Sequence, residues 1–145
     1  MIVNNEMSLS FPSKSCNEAF ARCVVSGFLM SLDPTINELS DLKTAVSEAV
    51  TNCIVHGYRR QDGIIYIKGK IKNGNHVVIR IRDKGCGIAD VKKAMEPLFT
   101  TAPEEERAGL GFAVMQSFCD KVRVKSEPEK GTTVVLEKII GSNES

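Results

Sequence analysis

The sequence has almost no surplus of charge of either sign. Nineteen Lys and Arg residues stand against eighteen Asp and Glu residues, which leaves a formal net charge of +1. A chain that binds nucleic acid or an anionic membrane through its overall charge needs a basic excess that is missing here. We therefore expect no direct nucleic-acid partner and no membrane partner.

The sequence also lacks a Cys-x-x-Cys pair. Its five cysteines occupy positions 16, 23, 53, 86 and 119, and only two histidines could join them around a metal ion. An odd count and wide, irregular spacings disfavour a zinc site. We interpret the cysteines as reduced thiols, most of them small residues of the core.

No segment resembles a secretion signal, a membrane span or an internal repeat. The N-terminal residues MIVNNEMSLSF do not combine a basic region with an apolar run, and the apolar stretches are too short for a bilayer. With 145 residues, 42% of them hydrophobic, the chain fits a single domain over 1–145. We expect a cytoplasmic location.

Periodicity and turn signals predict a two-layer α/β sandwich, in which three helices cover one face of a mixed, mainly antiparallel sheet. Residues 95–109 contain two prolines and an acidic run and are interpreted as a lid, while the tail 141–145 is expected to fray. The predicted elements are a strand at 7–11, a helix from 15, a helix from 33–35 to about 56, strands at 64–72 and from 77 joined by Asn73-Gly74, a helix at 111–119, and strands at 122–126 and 132–139.

Local patterns in the two long helices make sharper predictions. Ser15-x-x-Glu18 has the pattern of a capping box, and Glu38 completes a second box if Thr35 rather than Asp33 is the N-cap. Helical spacing assigns the apolar face of the first helix to Phe20, Cys23, Val24, Phe28 and Leu32.

Three polar side chains lie on one face of the second helix. Glu48, Asn52 and His56 are four residues apart and sit beside the apolar stripe, where Ala45 and Ala49 leave room for a ligand. A carboxylate and an amide oxygen at the edge of a core suit a hard cation such as Mg²⁺. A solvated helix flank explains the same spacing equally simply.

Asp83 ends a strand on the same face as the apolar residues directed to the core. A buried carboxylate needs a partner, and Gly85 and Gly87 allow a ligand to approach closely. Such a carboxylate can accept a hydrogen bond from the exocyclic amine of adenine. The alternative is a turn in which Asp83 caps its own loop.

Two further glycine turns follow. Arg107 precedes Gly109-Leu110-Gly111 at the start of a helix, where free backbone N–H groups attract phosphate and an arginine can reach a terminal phosphate. Gly131-Thr132 opens the last strand and places a hydroxyl near Asp83. Singly, these turns are also explained by a loop-to-helix joint and an ordinary hairpin threonine.

The order of these signals resembles the Bergerat-fold (GHKL) ATPases. Segments outside that pattern resemble its anti-sigma factor branch, and the resemblance to the anti-sigma F factors of spore-forming bacteria, which are serine kinases, extends over nearly the whole chain. The segments that carry the resemblance are Ser15–Arg22, Glu48–Asn52 with His56-Gly57-Tyr58, Asp83–Gly87, Pro97–Thr101, Gly109–Gly111 and Gly131-Thr132.

This resemblance implies a homodimeric anti-sigma factor that holds a sporulation sigma factor and uses Mg-ATP to phosphorylate a serine of an anti-anti-sigma protein. It gives Glu48 the role of orienting or deprotonating the serine hydroxyl, Asn52 that of Mg²⁺ ligand, and Asp83 that of adenine reader with support from Thr132. The remaining roles are base-pocket shaping by Gly85 and Gly87, phosphate binding by Gly109, Leu110, Gly111 and Arg107, and contact with sigma by Glu18 and Arg22.

Other functions share parts of this pattern. Histidine-kinase catalytic domains normally share a chain with a phospho-accepting helical hairpin, for which 145 residues leave no space, and they tend to lack a Glu four residues before the metal-binding Asn. Chaperone-type or topoisomerase-type hydrolases need a transducing domain. A non-catalytic, ATP-gated binding module stays open, because the lone carboxylate of Glu48 does not prove catalysis.

Overall fold

A computed structural model of the protein describes residues 2–95 and 111–141. Most of the predicted lid and tail lie outside these residues, as do Arg107, Gly109 and Leu110. The strands are β1 (Val3–Pro12), β2 (Ile64–Lys72), β3 (His76–Asp83), β4 (Lys121–Glu127) and β5 (Gly131–Ile139), and the helices are α1 (Cys16–Leu29), α2 (Ile36–Asn52), α3 (Val91–Ala94) and α4 (Phe112–Phe118).

The five strands form one sheet in the order β1-β2-β3-β5-β4. Every neighbouring pair in the described residues is antiparallel, so the parallel pair expected of a mixed sheet is not found there. Along β2 and β3 the side chains alternate between the two faces of the sheet as expected, and the inward residues are buried. Asn73 and Gly74 both have positive φ, 53° and 85°, which confirms the tight hairpin between these strands.

The helices cover one face of the sheet, and the core lies between the two layers. This arrangement confirms the two-layer α/β sandwich. Isoleucines and valines of the inner sheet face pack against α2, whose own buried residues are Leu42, Ala45, Val46, Ala49 and Val50. The opposite face of the sheet carries no helix within the described residues, and it is lined mainly by polar and charged side chains.

The buried face of α1 differs from the predicted one. Ala21, Val25 and Leu29 are buried, whereas Phe20 is 49% exposed and Cys23 is also exposed. The assignment of Phe20 and Cys23 to the core is therefore wrong. Apolar residues occupy most of the circumference of α1, so helical spacing alone could not select the side that packs on the sheet.

The two predicted capping boxes have opposite outcomes. Ser15 already has right-handed helical dihedrals, φ −54° and ψ −34°, and its side chain makes no capping bond, so that prediction is wrong. An N-cap side chain can reach the first free N–H groups only from an extended backbone. Thr35 has such a backbone, and Thr35 and Glu38 exchange both bonds of a capping box.

The second helix changes type before it ends. Regular α-helix stops at Asn52, and Cys53–Gly57 forms a π-helical turn in which Tyr58 N donates to Cys53 O at 2.8 Å. The predicted end at Gly57 is right, but the last turn is wider than the prediction assumed. A π turn adds a residue to the turn and rotates the side chains that follow it.

The cysteines are less buried than predicted. All five carry free thiols, but only Cys53 is buried, Cys86 and Cys119 are half-buried, and Cys16 and Cys23 are exposed. The interpretation of most of them as core residues is therefore wrong. Within residues 2–95 and 111–141, no helix is long and apolar enough to cross a membrane.

Candidate functional site

A cleft opens between the end of α2, the loop after β3 and the start of β5. Four residues predicted from three separate motifs meet in it, namely Asn52, Asp83, Gly87 and Thr132. His56, whose role the sequence left open, is also part of the lining. The other lining residues are Ala49, Cys53, Gly57, Ile81, Ile88, Phe112 and Val134.

Asp83 is the buried charge of this cleft. Asp83 is only 3% exposed, and Asp83 Oδ1 accepts a hydrogen bond from Gly85 N at 2.9 Å. Burial raises the pKa of the Asp83 carboxyl, while hydrogen bonds from Gly85, from the Cys53 thiol and from the Thr132 backbone lower it in part. Asp83 therefore caps its own loop and also presents a costly carboxylate to the cleft, so the two sequence interpretations are not exclusive.

Cys53 contributes a thiol to this carboxylate. The side chain is 3% exposed, and burial together with the charge of Asp83 raises the pKa of the Cys53 thiol well above its usual range. The thiol is consequently protonated at neutral pH and donates to Asp83. The sequence predicted a reduced thiol at Cys53 but did not predict this bond.

The π-helical turn and the loop after β3 touch through their backbones. Cys86 N donates to Gly57 O at 2.9 Å, and Cys86 Sγ lies 3.1 Å from His56 O. A β-carbon on Gly85 would overlap the carbonyl of Gly57. Gly85 is therefore required by close packing of two backbones and does not itself line the cleft.

A hydroxyl pair closes the far side of the cleft. Thr132 lies opposite Asp83 in the register of β3 and β5, and Thr132 Oγ1 is 2.8 Å from Ser126 Oγ. Ser126 Oγ also accepts from Ile88 N at 2.8 Å and donates to Gly131 O at 3.0 Å. Sequence analysis missed Ser126, because a serine in a short exposed strand carries no signal of its own.

Tyr58 is a second residue that the motif analysis did not assign a role. Its hydroxyl donates to Ile64 O at 2.5 Å and accepts from Lys84 N at 2.7 Å. These bonds tie the segment after the π turn to the residue that follows Asp83. Tyr58 therefore fixes the approach of the two chain segments that frame the cleft.

Glu48 lies one helical turn before Asn52 but does not line the cleft with it. It is half-buried against the start of α4, where a β-carbon on Gly111 would overlap Glu48 Oε2. Burial raises the pKa of the Glu48 carboxyl, which makes it a better proton acceptor than an exposed glutamate. Gly111 has φ 59° and is the N-cap residue of α4.

Glu18 and Arg22 lie away from the cleft, on α1. Their side chains form an ion pair across one helical turn, and the Arg22 side chain is 40% exposed. Phe20 and Cys23 are exposed on the same helix. The helix therefore exposes both this ion pair and, at other positions of its circumference, apolar side chains.

The cleft lining has the chemical groups that a purine base requires, although the space between them is only about 30 Å³ in this structure. A buried carboxylate held by three donors can pair with an amino group, and the apolar lining residues Ile81, Ile88 and Val134 suit a flat ring. Within residues 2–95 and 111–141, no group of three or more His, Cys, Asp or Glu side chains could hold a metal ion. The amide oxygen of Asn52 is a ligand of the type that Mg²⁺ accepts beside phosphate oxygens and water.

Comparisons with known proteins agree with this geometry. A family model described as a histidine kinase-like ATPase domain matches residues 12–138. The anti-sigma F factor of Thermoanaerobacter sp. (strain X514) is 59% identical over 143 residues, which is 99% of each chain. The anti-sigma F factor of Halalkalibacterium halodurans is 53% identical over 137 residues, covering 94% of this chain and 93% of the relative.

Two solved structures share the fold. The RsbU and RsbW domains of a Mycobacterium tuberculosis protein match with a TM-score of 0.69 and 17% identity, over 94% of this chain and 33% of that longer chain. The catalytic domain of the histidine kinase ThkA matches with a TM-score of 0.55 and 14% identity, over 92% of this chain and 96% of the other. The chain belongs to the histidine kinase-like ATPase domain family and, within it, to the anti-sigma F factors.

Proposed function

We propose that this protein is an anti-sigma factor and a protein serine kinase, which holds a sporulation sigma factor and phosphorylates a serine of an anti-anti-sigma protein with Mg-ATP. One observation carries the kinase part of the proposal. Asn52 lines the cleft that holds the buried Asp83, and Glu48, one helical turn earlier on α2, lies outside that lining against Gly111. This arrangement supports the assignment of the base to Glu48, of the metal ligand to Asn52 and of the adenine contact to Asp83.

In the proposed reaction Asp83 accepts a hydrogen bond from the adenine amine, and Thr132 supports it. The serine oxygen attacks the γ-phosphorus as the bond to the β-phosphate oxygen breaks, ADP leaves, and the hydroxyl proton passes to Glu48. Asn52 would hold Mg²⁺ as one of its ligands, and the ion would supply the positive charge that neutralises the phosphates. Gly109, Leu110, Gly111 and Arg107 are proposed phosphate contacts, and Gly87 shapes the base pocket.

A phosphotransfer assay tests this proposal directly. Wild type is mixed with Mg-[γ-³²P]ATP and the anti-anti-sigma protein, and compared with Glu48→Gln and with Glu129→Gln, which removes an exposed carboxylate elsewhere. We expect phosphoserine with wild type and Glu129→Gln, and a loss of at least about 100-fold with Glu48→Gln at unchanged ATP affinity.

Each other outcome favours a different function. Tight ATP binding without labelling would reduce the protein to an ATP-gated binding module. Acid-labile phosphohistidine would favour a histidine-kinase activity. Full activity of Glu48→Gln would refute the proposed base but leave the nucleotide site in place.

The partner surface is proposed to lie on α1 and β1. Arg22 and Glu18 offer charges of both signs, and Phe20 on α1, Met30 directly after it and Val3 on β1 are exposed large apolar residues. We propose that this surface serves sigma binding and homodimerisation. Light scattering should give the mass of a dimer, and Arg22→Ala should weaken sigma binding while Lys43→Ala, a cation on α2, should not.

A further inference from the structure

Although the net charge of the chain is near zero, positive charge is strongly in excess on the outer, helix-free face of the sheet. Two neighbouring rungs of that face each place a cation on β3, a neutral residue on β5 and a cation on β4. We call this feature the basic trough. Its rungs are Arg80–Val135–Arg123 and Arg82–Thr133–Lys125.

The basic trough has cationic walls and a neutral floor. Its four cations are exposed and surround a depression of about 940 Å³. Val135 is only 8% exposed although it lies on the outer face, because the long side chains beside it cover it. The walls stand two strand spacings apart, about 10 Å, and the two rungs are about 7 Å apart along the strands.

The charges of this face are largely uncompensated. Arg123 forms an ion pair with Glu137 at 2.8 Å. Within residues 2–95 and 111–141, Arg80, Arg82 and Lys125 form no ion pair. Lys68 lies directly opposite Arg80 on the next strand, and like charges so placed destabilise a sheet. The arrangement costs stability and focuses a positive potential into the depression.

We propose that the basic trough binds an extended acidic segment of a partner protein, with carboxylates at alternate positions. In an extended chain, side chains two residues apart are about 7 Å apart, which equals the separation of the two rungs. Arginine forks bind carboxylates through two hydrogen bonds, and the floor of Val135 and Thr133 suits the aliphatic stems of glutamates. This surface lies outside the proposed chemistry, since the depression shares only Asp83 and Thr132 with the cleft lining.

An acidic polypeptide fits better than single-stranded nucleic acid. Sites for single strands present aromatic rings on which successive bases stack. Among the residues that the structure describes, the one aromatic side chain lining the depression is Tyr66, and Lys84 Nζ lies over its ring, 4.9 Å from the centroid. The floor of the basic trough offers no ring to a base.

Fluorescence anisotropy can test the proposal with three labelled probes, the peptide (Glu-Thr)₄, its neutral counterpart (Gln-Thr)₄ and the oligonucleotide dT₈. The salt concentration is kept low, at about 50 mM, so that screening is weak. Wild type is compared with the double variant Arg80→Gln/Lys125→Gln. The matched control is Lys14→Gln/Lys92→Gln, which removes two exposed cations outside the basic trough.

We expect wild type to bind (Glu-Thr)₄ and not (Gln-Thr)₄, with affinity reduced at least about tenfold in the trough variant and less than about twofold in the control. ATP affinity should stay at the wild-type value in both variants and the melting temperature should not fall in either, which shows that they fold; relief of the like charges can raise the melting temperature of the trough variant. Three results would overturn the proposal: no binding of (Glu-Thr)₄ up to about 1 mM, equal weakening in both variants, or tighter binding of dT₈ with the same dependence on the trough cations. Failure of the kinase proposal would leave this test unaffected.

Discussion

Gly57 lies directly against the carboxylate of Asp83. A β-carbon built on Gly57 would be 2.6 Å from Asp83 Oδ2 and 2.7 Å from Asp83 Cγ, well inside van der Waals contact. Gly57 ends the π-helical turn that follows α2, whereas Asp83 ends β3. The position of the carboxylate therefore depends on a glycine 26 residues away in the sequence.

Gly57→Ala should displace the Asp83 carboxylate and weaken ATP binding. Loss of one hydrogen bond to a charged group costs about 1.5–3 kcal/mol, so we expect ATP affinity to fall about tenfold or more by isothermal titration calorimetry. Gly27→Ala is the matched control, since a β-carbon there meets nothing within 4 Å. Equal ATP affinity in the two variants would show that Asp83 does not hold the base.

As the pH is lowered, ATP affinity should begin to fall at a higher pH than it would if the site contained an aspartate of ordinary pKa. Adenine needs the ionised carboxylate, and burial raises the pKa of Asp83. Binding is therefore complete above that raised pKa and is lost as the pH falls through it. The same raised pKa means that the ionised form costs folding stability, a cost that disappears at low pH.

A comparison of wild type with Cys53→Ala distinguishes the titration of Asp83 from the titration of the nucleotide. The Cys53 thiol donates to Asp83 and lowers its pKa, so its removal should move the midpoint of ATP binding to higher pH. The nucleotide titrates identically in both proteins, and the shift between the two profiles reports Asp83 alone. If the two pH profiles of ATP binding were superimposable, the Cys53 thiol would not affect the Asp83 carboxylate that is proposed to contact adenine.

Gly111→Ala should impair phosphotransfer more than stability. The new β-carbon would overlap Glu48 Oε2 and push the proposed base aside. Gly74→Ala is the control, because Gly74 also has positive φ, 85°, but open space around it. Both substitutions should cost about 1 kcal/mol of backbone strain, measured by urea unfolding, while only Gly111→Ala should lower kcat. A similar kcat for both variants would argue against Glu48 as the base.

The sheet and the position of Asp83 were predictable because both depend on local alternation. In β2 and β3 every second residue is apolar, and the period of two places Asp83 inward with Ile79 and Ile81. The Asn73-Gly74 turn fixed the register of the same pair. These features need no knowledge of distant residues.

Features that depend on contact between distant segments were not predictable. Helical spacing could not choose the buried side of α1, where Phe20 is exposed and Val25 is buried. The π turn after Asn52 leaves no trace in a 3.6-residue period, and Gly57 gains its importance only through Asp83. The uncompensated charge of the basic trough likewise emerges only when β3 and β4 are placed on either side of β5.

Tyr58→Phe should destabilise the protein by about 1 kcal/mol, because it removes a hydroxyl that bonds to two backbone groups. Those groups are Ile64 O and Lys84 N, which belong to the two segments framing the cleft. The other tyrosine, Tyr66, provides a matched control: within the described residues its hydroxyl makes no hydrogen bond, so Tyr66→Phe should stay within about 0.5 kcal/mol of wild type. Urea unfolding of both variants gives the comparison. Equal stabilities would mean that the Tyr58 bonds exchange with water at no cost, and the cleft would then be held by its backbone contacts, Cys86 N to Gly57 O and Glu129 N to Cys86 O.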